Sequence, residues 1–108
     1  MDTKPKRKKR SDRNHAIYRL TNSITGEVYV GMTVCGGTTP KKAVAGRFQR
    51  HVTRALTQAK AWKLCEAIRQ HGAEAFKIEV IETVRGKAEA HTREREITKE
   101  LGAALNTA

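Results

Sequence analysis

Two short runs, HAIYRL at residues 15–20 and EVYVG at residues 27–31, are rich in β-branched and aromatic side chains, and only the turn-forming stretch TNSITG separates them. They read as a β-hairpin. With a four-residue loop from Asn22 to Thr25, Tyr18 stands opposite Tyr29, and Ala16 opposite Gly31 on the same face. On that register two phenols flank a floor with almost no side chain, open to a close-approaching polymer backbone. Ile17, Val28 and Val30, with Arg19, form the other face, which reads as the core face. Tyrosine is a favoured strand residue, so the pair alone also fits a structural role.

After the hairpin, MTVCGGTTPKK is a Gly- and Pro-bearing loop ending at Lys41 and Lys42, without the Gly-Lys-Ser/Thr ending of a Walker phosphate loop. From about 41 to 59, Val44, Phe48, Val52, Ala55 and Leu56 recur at helical spacing. A second helix, about 61–71, carries Leu64, Cys65 and Ile68 and stops at Gly72. FKIEVIE then alternates Phe76, Ile78 and Val80 with charged residues, as a half-buried strand does. A third helix, about 87–101, is stopped by Gly102. The order ββααβα predicts an α/β fold, a small three-stranded, mainly antiparallel sheet flanked by helices.

The 108 residues suffice for one folded domain, taken as 15–108, preceded by a basic arm over 1–14. That arm holds seven Lys or Arg against two acidic residues, and it is expected to be disordered alone. Lys and Arg outnumber Asp and Glu 22 to 11, a formal charge of +11 that calls for a polyanionic partner, nucleic acid first. No apolar run approaches the ~20 residues of a membrane span, and the basic start lacks the apolar stretch of a signal peptide. The expectation is therefore no membrane and an intracellular location, cytoplasm or nucleoid, or nucleus in a eukaryote. Cys35 and Cys65, in no CxxC or His/Cys spacing, read as reduced structural thiols rather than a disulfide or zinc site.

Three further residues carry chemistry in their types. Arg47 and His51, four apart in GRFQRH, lie on one stripe of the first helix beside the Phe48 and Val52 stripe and can point along the sheet edge. An Arg there can hold phosphate and a His can move a proton, or both can belong to a solvated basic helix that binds nucleic acid passively. On the third helix Ala90, Ile97 and Leu101 define the inward stripe, and the position between them is Glu94. A carboxylate there needs a partner: a salt bridge to Arg93 or Arg47, or a divalent metal.

Taken together these residues resemble the GIY-YIG nucleases. Ala16-Ile17-Tyr18 is similar to the first signature, with Ala16 in place of its glycine, and Tyr29-Val30-Gly31 to the second. Arg47 and His51 match the R-x-x-x-H helix, HGAEAF resembles the turn before the third strand, REREITKEL places Glu94 at the metal-binding glutamate, and LNT supplies Asn106. The resemblance spans roughly 15–107. It implies a GIY-YIG-like fold and a DNA endonuclease, of homing, repair or structure-specific type in a phage or bacterium, using one Mg²⁺ or Mn²⁺. On that reading Tyr18 helps deprotonate the attacking water with His51 nearby, Tyr29 orients the phosphate, Arg47 neutralises developing charge and Glu94 holds the metal. Gly31, Lys41, Lys42, Arg50 and Asn106 are the expected DNA contacts. All five reacting side chains are expected to converge in one cleft, with sequence specificity left to a partner protein or an oligomer. A different class, a non-catalytic DNA- or RNA-binding protein, fits charge and length but has no use for Glu94 facing phosphate.

Overall fold

Asn22 decides where the hairpin turns. In the computed structural model, which describes residues 13–35, 37–58 and 62–106, its side-chain Oδ1 accepts from the Ile24 and Thr25 amides at 2.9 and 3.4 Å. Its backbone N–H donates to the Glu27 carbonyl at 2.9 Å. Gly26, at φ +79°, supplies the left-handed residue that closes the turn. The loop is therefore Ser23 to Gly26, one residue later than expected, and the register moves by two. Strand β1 (Asn14–Asn22) pairs with β2 (Val28–Val34) so that Tyr18 faces Gly31, Leu20 faces Tyr29 and Ala16 faces Thr33. Tyr18 and Tyr29 are diagonal neighbours rather than opposite ones. Because a shift of two preserves the pleat, they keep one face.

The remaining elements are α1 (Pro40–Thr57), α2 (Lys63–His71), β3 (Phe76–Arg85) and α3 (Lys87–Leu101), with single 3₁₀ turns at Ala73–Ala75 and Ala104–Asn106. The sheet order is β2-β1-β3, antiparallel throughout, as the α/β reading requires. The Thr39 hydroxyl caps α1 by accepting from the Lys42 amide, with Pro40 in the first turn where a missing N–H does no harm. Asn14, assigned to the arm from sequence, opens β1; residues 1–12 of the arm lie outside the described residues.

Both faces of the sheet are core. Ala16, Tyr18 and Leu20 pack with Val44, Phe48 and Ala55 of α1 and with Leu64, Cys65 and Ile68 of α2. Ile17 and Val30 pack with Ile97 of α3 and with Ala103. The tyrosine face, expected to stay open, thus carries the larger cluster, and Tyr18 heads the fully buried side chains by volume. Burying each such side chain contributes roughly 1.5–3 kcal/mol. β3 serves both layers through a bulge: Tyr18 pairs with Val80 while Ile17 pairs with Glu82, leaving Ile81 extra. Up to Val80 the strand alternates in phase with Tyr18. Beyond the bulge Val84 joins the α3 cluster.

Two apolar residues counted into the helix stripes are solvent-facing, Leu56 at 67% and Leu101 at 39% exposure. Leu56 directly follows buried Ala55 and so turns off the packed side of α1, whereas Leu101 ends α3 a turn past buried Ile97. Cys35 and Cys65 are buried and free. Among the described residues no helix is long and apolar enough to cross a membrane.

Candidate active site

Gly31 is central to the site because of what fills the space above it. A Cβ at this position would lie 2.5 Å from the Tyr18 hydroxyl and 2.8 Å from Cε1 of Tyr29, nearer than real atoms approach. The floor between the phenols is thus covered by the phenols themselves, and Gly31 is buried beneath them rather than open to a polymer. The two rings sit 6.2 Å apart, and His51 meets the Tyr29 ring edge-on at 5.4 Å. The Tyr18 hydroxyl and His51 Nε2 share a hydrogen bond of 3.2 Å, whose direction follows the imidazole tautomer.

His51 does not run along the solvent edge beside Arg47 as its spacing suggested. It is 4% exposed, because α1 presses this stripe against Tyr18 and Tyr29. Burial, reinforced by the charges of Arg47 and Arg54, pulls its pKa down to about 4, so the ring is neutral near pH 7. Burial also pushes the Tyr18 phenol well above its usual range. The neighbouring Tyr29 adds to this, and Arg47 only partly opposes it. The pair is a neutral phenol hydrogen-bonded to a neutral imidazole.

Arg47 and Tyr29 face outward from this cluster into a cavity of about 460 Å³ that crosses the β2 edge between α1 and α3. Arg50 lines it from α1 and Glu94 from α3. The carboxylate of Glu94 is half-buried and makes no ion pair among the described residues. Arg93, one of its expected partners, turns instead to Glu82 and Glu96, both at 2.9 Å. Burial raises the Glu94 pKa, with His91 and Arg95 pulling the other way. A second cavity of about 230 Å³ lies on the other side of Arg47 and Tyr29, lined also by His51, Arg54 and Trp62. There the Arg54 guanidinium sits 5.4 Å from the Trp62 ring centre.

The expected single cleft is therefore layered. Tyr29, Arg47, Arg50 and Glu94 line the larger cavity, whereas Tyr18 and His51 form a buried pair behind Tyr29. Asn106, expected at the substrate, spends both ends of its amide on β2: Oδ1 accepts from the Val30 N–H and Nδ2 donates to the Val30 carbonyl, each at 2.6 Å. Its geometry is that of a structural clamp on an edge strand whose backbone groups would otherwise be unpaired. Lys42 is exposed at the start of α1, and Lys41 borders a different, apolar groove with Ile78 and Val80.

The larger cavity also has walls that sequence reasoning passed over: His15, Lys87 and His91. Lys87, His91 and Glu94 are spaced i, i+4, i+7, so the α3 stripe that carries Glu94 carries two cationic or polar neighbours as well. That spacing was readable. His15, at the start of β1, carried no such signal.

The donor set fits a hard divalent cation. Glu94 offers a desolvated, unpaired carboxylate on the wall of an open cavity, with room for water and phosphate oxygens. Among the described residues no three His, Cys, Asp or Glu side chains gather into a cage.

No protein-family model and no curated protein matches the chain. Among solved structures, the catalytic domain of the homing endonuclease I-TevI is similar at 24% identity and a TM-score of 0.68, with 87% of this chain and 98% of that domain covered. A glutamate-to-alanine mutant of the catalytic domain of intron endonuclease I-TevI is similar at 24% identity and a TM-score of 0.70, covering 88% and 94%. The resemblance read from Ala16-Ile17-Tyr18, Tyr29-Val30-Gly31 and the Arg47 helix thus holds for the fold, and the chain has the fold of the catalytic domain of a GIY-YIG homing endonuclease.

Proposed function

We propose that this protein is a divalent-metal-dependent endonuclease that hydrolyses DNA phosphodiesters. The observation that carries this reading is Glu94, an unpaired, half-buried carboxylate sharing one cavity with Arg47, Arg50 and Tyr29. A site that only held phosphate would gain nothing from an anion facing it. The fold likeness to an endonuclease catalytic domain points the same way.

On this reading Glu94 holds Mg²⁺ or Mn²⁺, which when bound stabilises charge on the leaving oxygen as a Lewis acid. Arg47 and Arg50 bind the phosphate from the α1 side through charge-assisted hydrogen bonds. Tyr29, the phenol on the cavity wall, orients it. Tyr18 lies one step behind and does not ionise at neutral pH, given the direction of its shift. Its role is therefore to pass on the proton of the attacking water as a neutral group, taking that proton at its oxygen while giving its own to His51 Nε2. Burial, reinforced by the charges of Arg47 and Arg54, suppresses His51 as a base in the free protein. A phosphate held at Arg47 offsets the cationic part of that suppression, so substrate binding raises the basicity of the ring.

The test is nicking of supercoiled plasmid with and without Mg²⁺ or Mn²⁺. Cleavage that requires the metal and disappears in Glu94→Gln supports the reading. Tight DNA binding without cleavage under any metal would leave a non-catalytic binding protein.

A further inference from the structure

The mechanism above leaves one buried imidazole on the cavity wall unused. His15 is 2% exposed, and its side chain lies on the α3 side of the sheet, in phase with Ile17. Its Nδ1 lies 2.8 Å from the Arg13 carbonyl oxygen. A carbonyl can only accept, so Nδ1 carries the proton, and in the neutral ring Nε2 is left with a bare lone pair. Among the described residues Nε2 has no hydrogen-bond partner, and it is not one of the unpartnered atoms sealed from solvent, which are Arg19 Nε and Asn22 Nδ2. It is therefore not sealed from solvent, and His15 is one of the residues that line the cavity of Glu94.

An imidazole fixed through one nitrogen by a backbone carbonyl, with the other nitrogen free, is how proteins present a metal-ligating histidine. A purely structural histidine would gain its anchor from Nδ1 alone and would have no reason to leave Nε2 without a partner in a residue lining the cavity that holds the Glu94 carboxylate. We propose that His15 Nε2 is a second protein ligand, a nitrogen donor, for the divalent ion held by Glu94. This rests on the reading that Glu94 holds a cation. Two protein ligands leave positions for water and phosphate oxygens, as a hydrolytic site requires. An imidazole donor also changes the preference of the site. Magnesium favours oxygen, whereas later first-row ions accept nitrogen readily, so the site favours Mn²⁺ over Mg²⁺ more than a lone carboxylate would.

The test uses the full chain, without DNA, titrated with Mn²⁺ and followed by electron paramagnetic resonance, with Mg²⁺ as competitor. Wild type is expected to bind Mn²⁺ and to show imidazole ¹⁴N coupling in pulsed spectra, which changes on ¹⁵N-histidine labelling. His15→Gln should abolish the coupling and weaken Mn²⁺ binding about tenfold or more, since loss of an outer partner alone costs roughly 10–100-fold. Mg²⁺ should weaken less, and His91→Gln should leave the coupling intact. Mn²⁺ binding that depends on Glu94 but shows no nitrogen coupling would overturn the His15 ligand and leave the nuclease reading standing. Coupling that survives His15→Gln, or vanishes in His91→Gln, would overturn it as well. Binding that ignores Glu94→Gln, or no binding at all, would defeat both readings. Should His15→Gln fail to fold, the labelled wild-type spectrum and His91→Gln decide.

Discussion

The Tyr18 hydroxyl occupies the place a side chain on Gly31 would take, 2.5 Å from the Cβ position. The Tyr18 ring above Gly31 cannot retreat freely, because the core encloses it. Gly31→Ala should therefore destabilise by about 1–3 kcal/mol, as overpacking does, and impair cleavage. Urea unfolding and plasmid nicking on the same variant check this, and wild-type values in both would show that the rings have room.

Glu94→Gln should stop cleavage while keeping the fold and holding DNA as tightly as wild type or more so. The amide preserves shape and removes a negative charge from a cavity shared with two arginines. The expected loss in rate is about a thousandfold or more. A variant that melts early yet still cuts with metal would assign Glu94 a structural role.

His51 makes stability depend on pH with a definite sign. Its pKa falls from 6.5 to about 4 on folding. Between those values the unfolded chain binds the proton and the folded chain does not, so stability drops as pH falls through this window and levels off below it. The contribution is at most roughly 3 kcal/mol. Denaturant unfolding across the window, compared with His51→Gln, should show the slope reduced in the variant; an unchanged slope would place its origin elsewhere.

Asn106→Leu removes both hydrogen bonds to the Val30 backbone. It should lower stability by roughly 2–4 kcal/mol, from two stranded backbone groups. The protein that remains folded should bind DNA normally. Weaker DNA binding at unchanged stability would restore the substrate contact expected from sequence.

The basic arm should add affinity for any DNA sequence through counterion release, so that its removal flattens the salt dependence of binding. The cut belongs after residue 12. The Arg13 carbonyl accepts from both the Gly86 amide and His15 Nδ1, and deleting Arg13 would disturb α3 and the cavity wall. A salt slope unchanged by the truncation would mean the arm leaves phosphate untouched.

Element order and type were legible because each segment has a clear period and an evident stop, such as Gly72 and Gly102. The hairpin register was not, since two placements of a four-residue loop satisfy the same alternation and only the Asn22 side chain chooses between them. Burial of both sheet faces was hidden for a related reason: the central strand shows Ala16, Ile17 and Tyr18 in a row, a pattern that reads as buried but does not say on which side the larger layer lies. Spacing put Arg47 and His51 on one stripe. How deep that stripe sinks is set by α2 and the hairpin, which no local pattern encodes. Glu94 stood out as a charge among apolar neighbours, whereas His15 became visible only when a distant helix closed the cavity over it.

The bulge at Ile81 divides the sheet into parts with different tolerance for changes in chain length. Removing that one residue would leave every pairing between β1 and β3 as it stands, because Tyr18 already faces Val80 and Ile17 already faces Glu82. A single-residue deletion inside Asn14–Asn22 or Val28–Val34 has no such slack: with a period of two, it would turn a phenol to the opposite layer. Indels in this fold should thus be absorbed on the outer strand and excluded from the hairpin, so its evolution by gain and loss of residues runs along one edge while the other stays fixed in length.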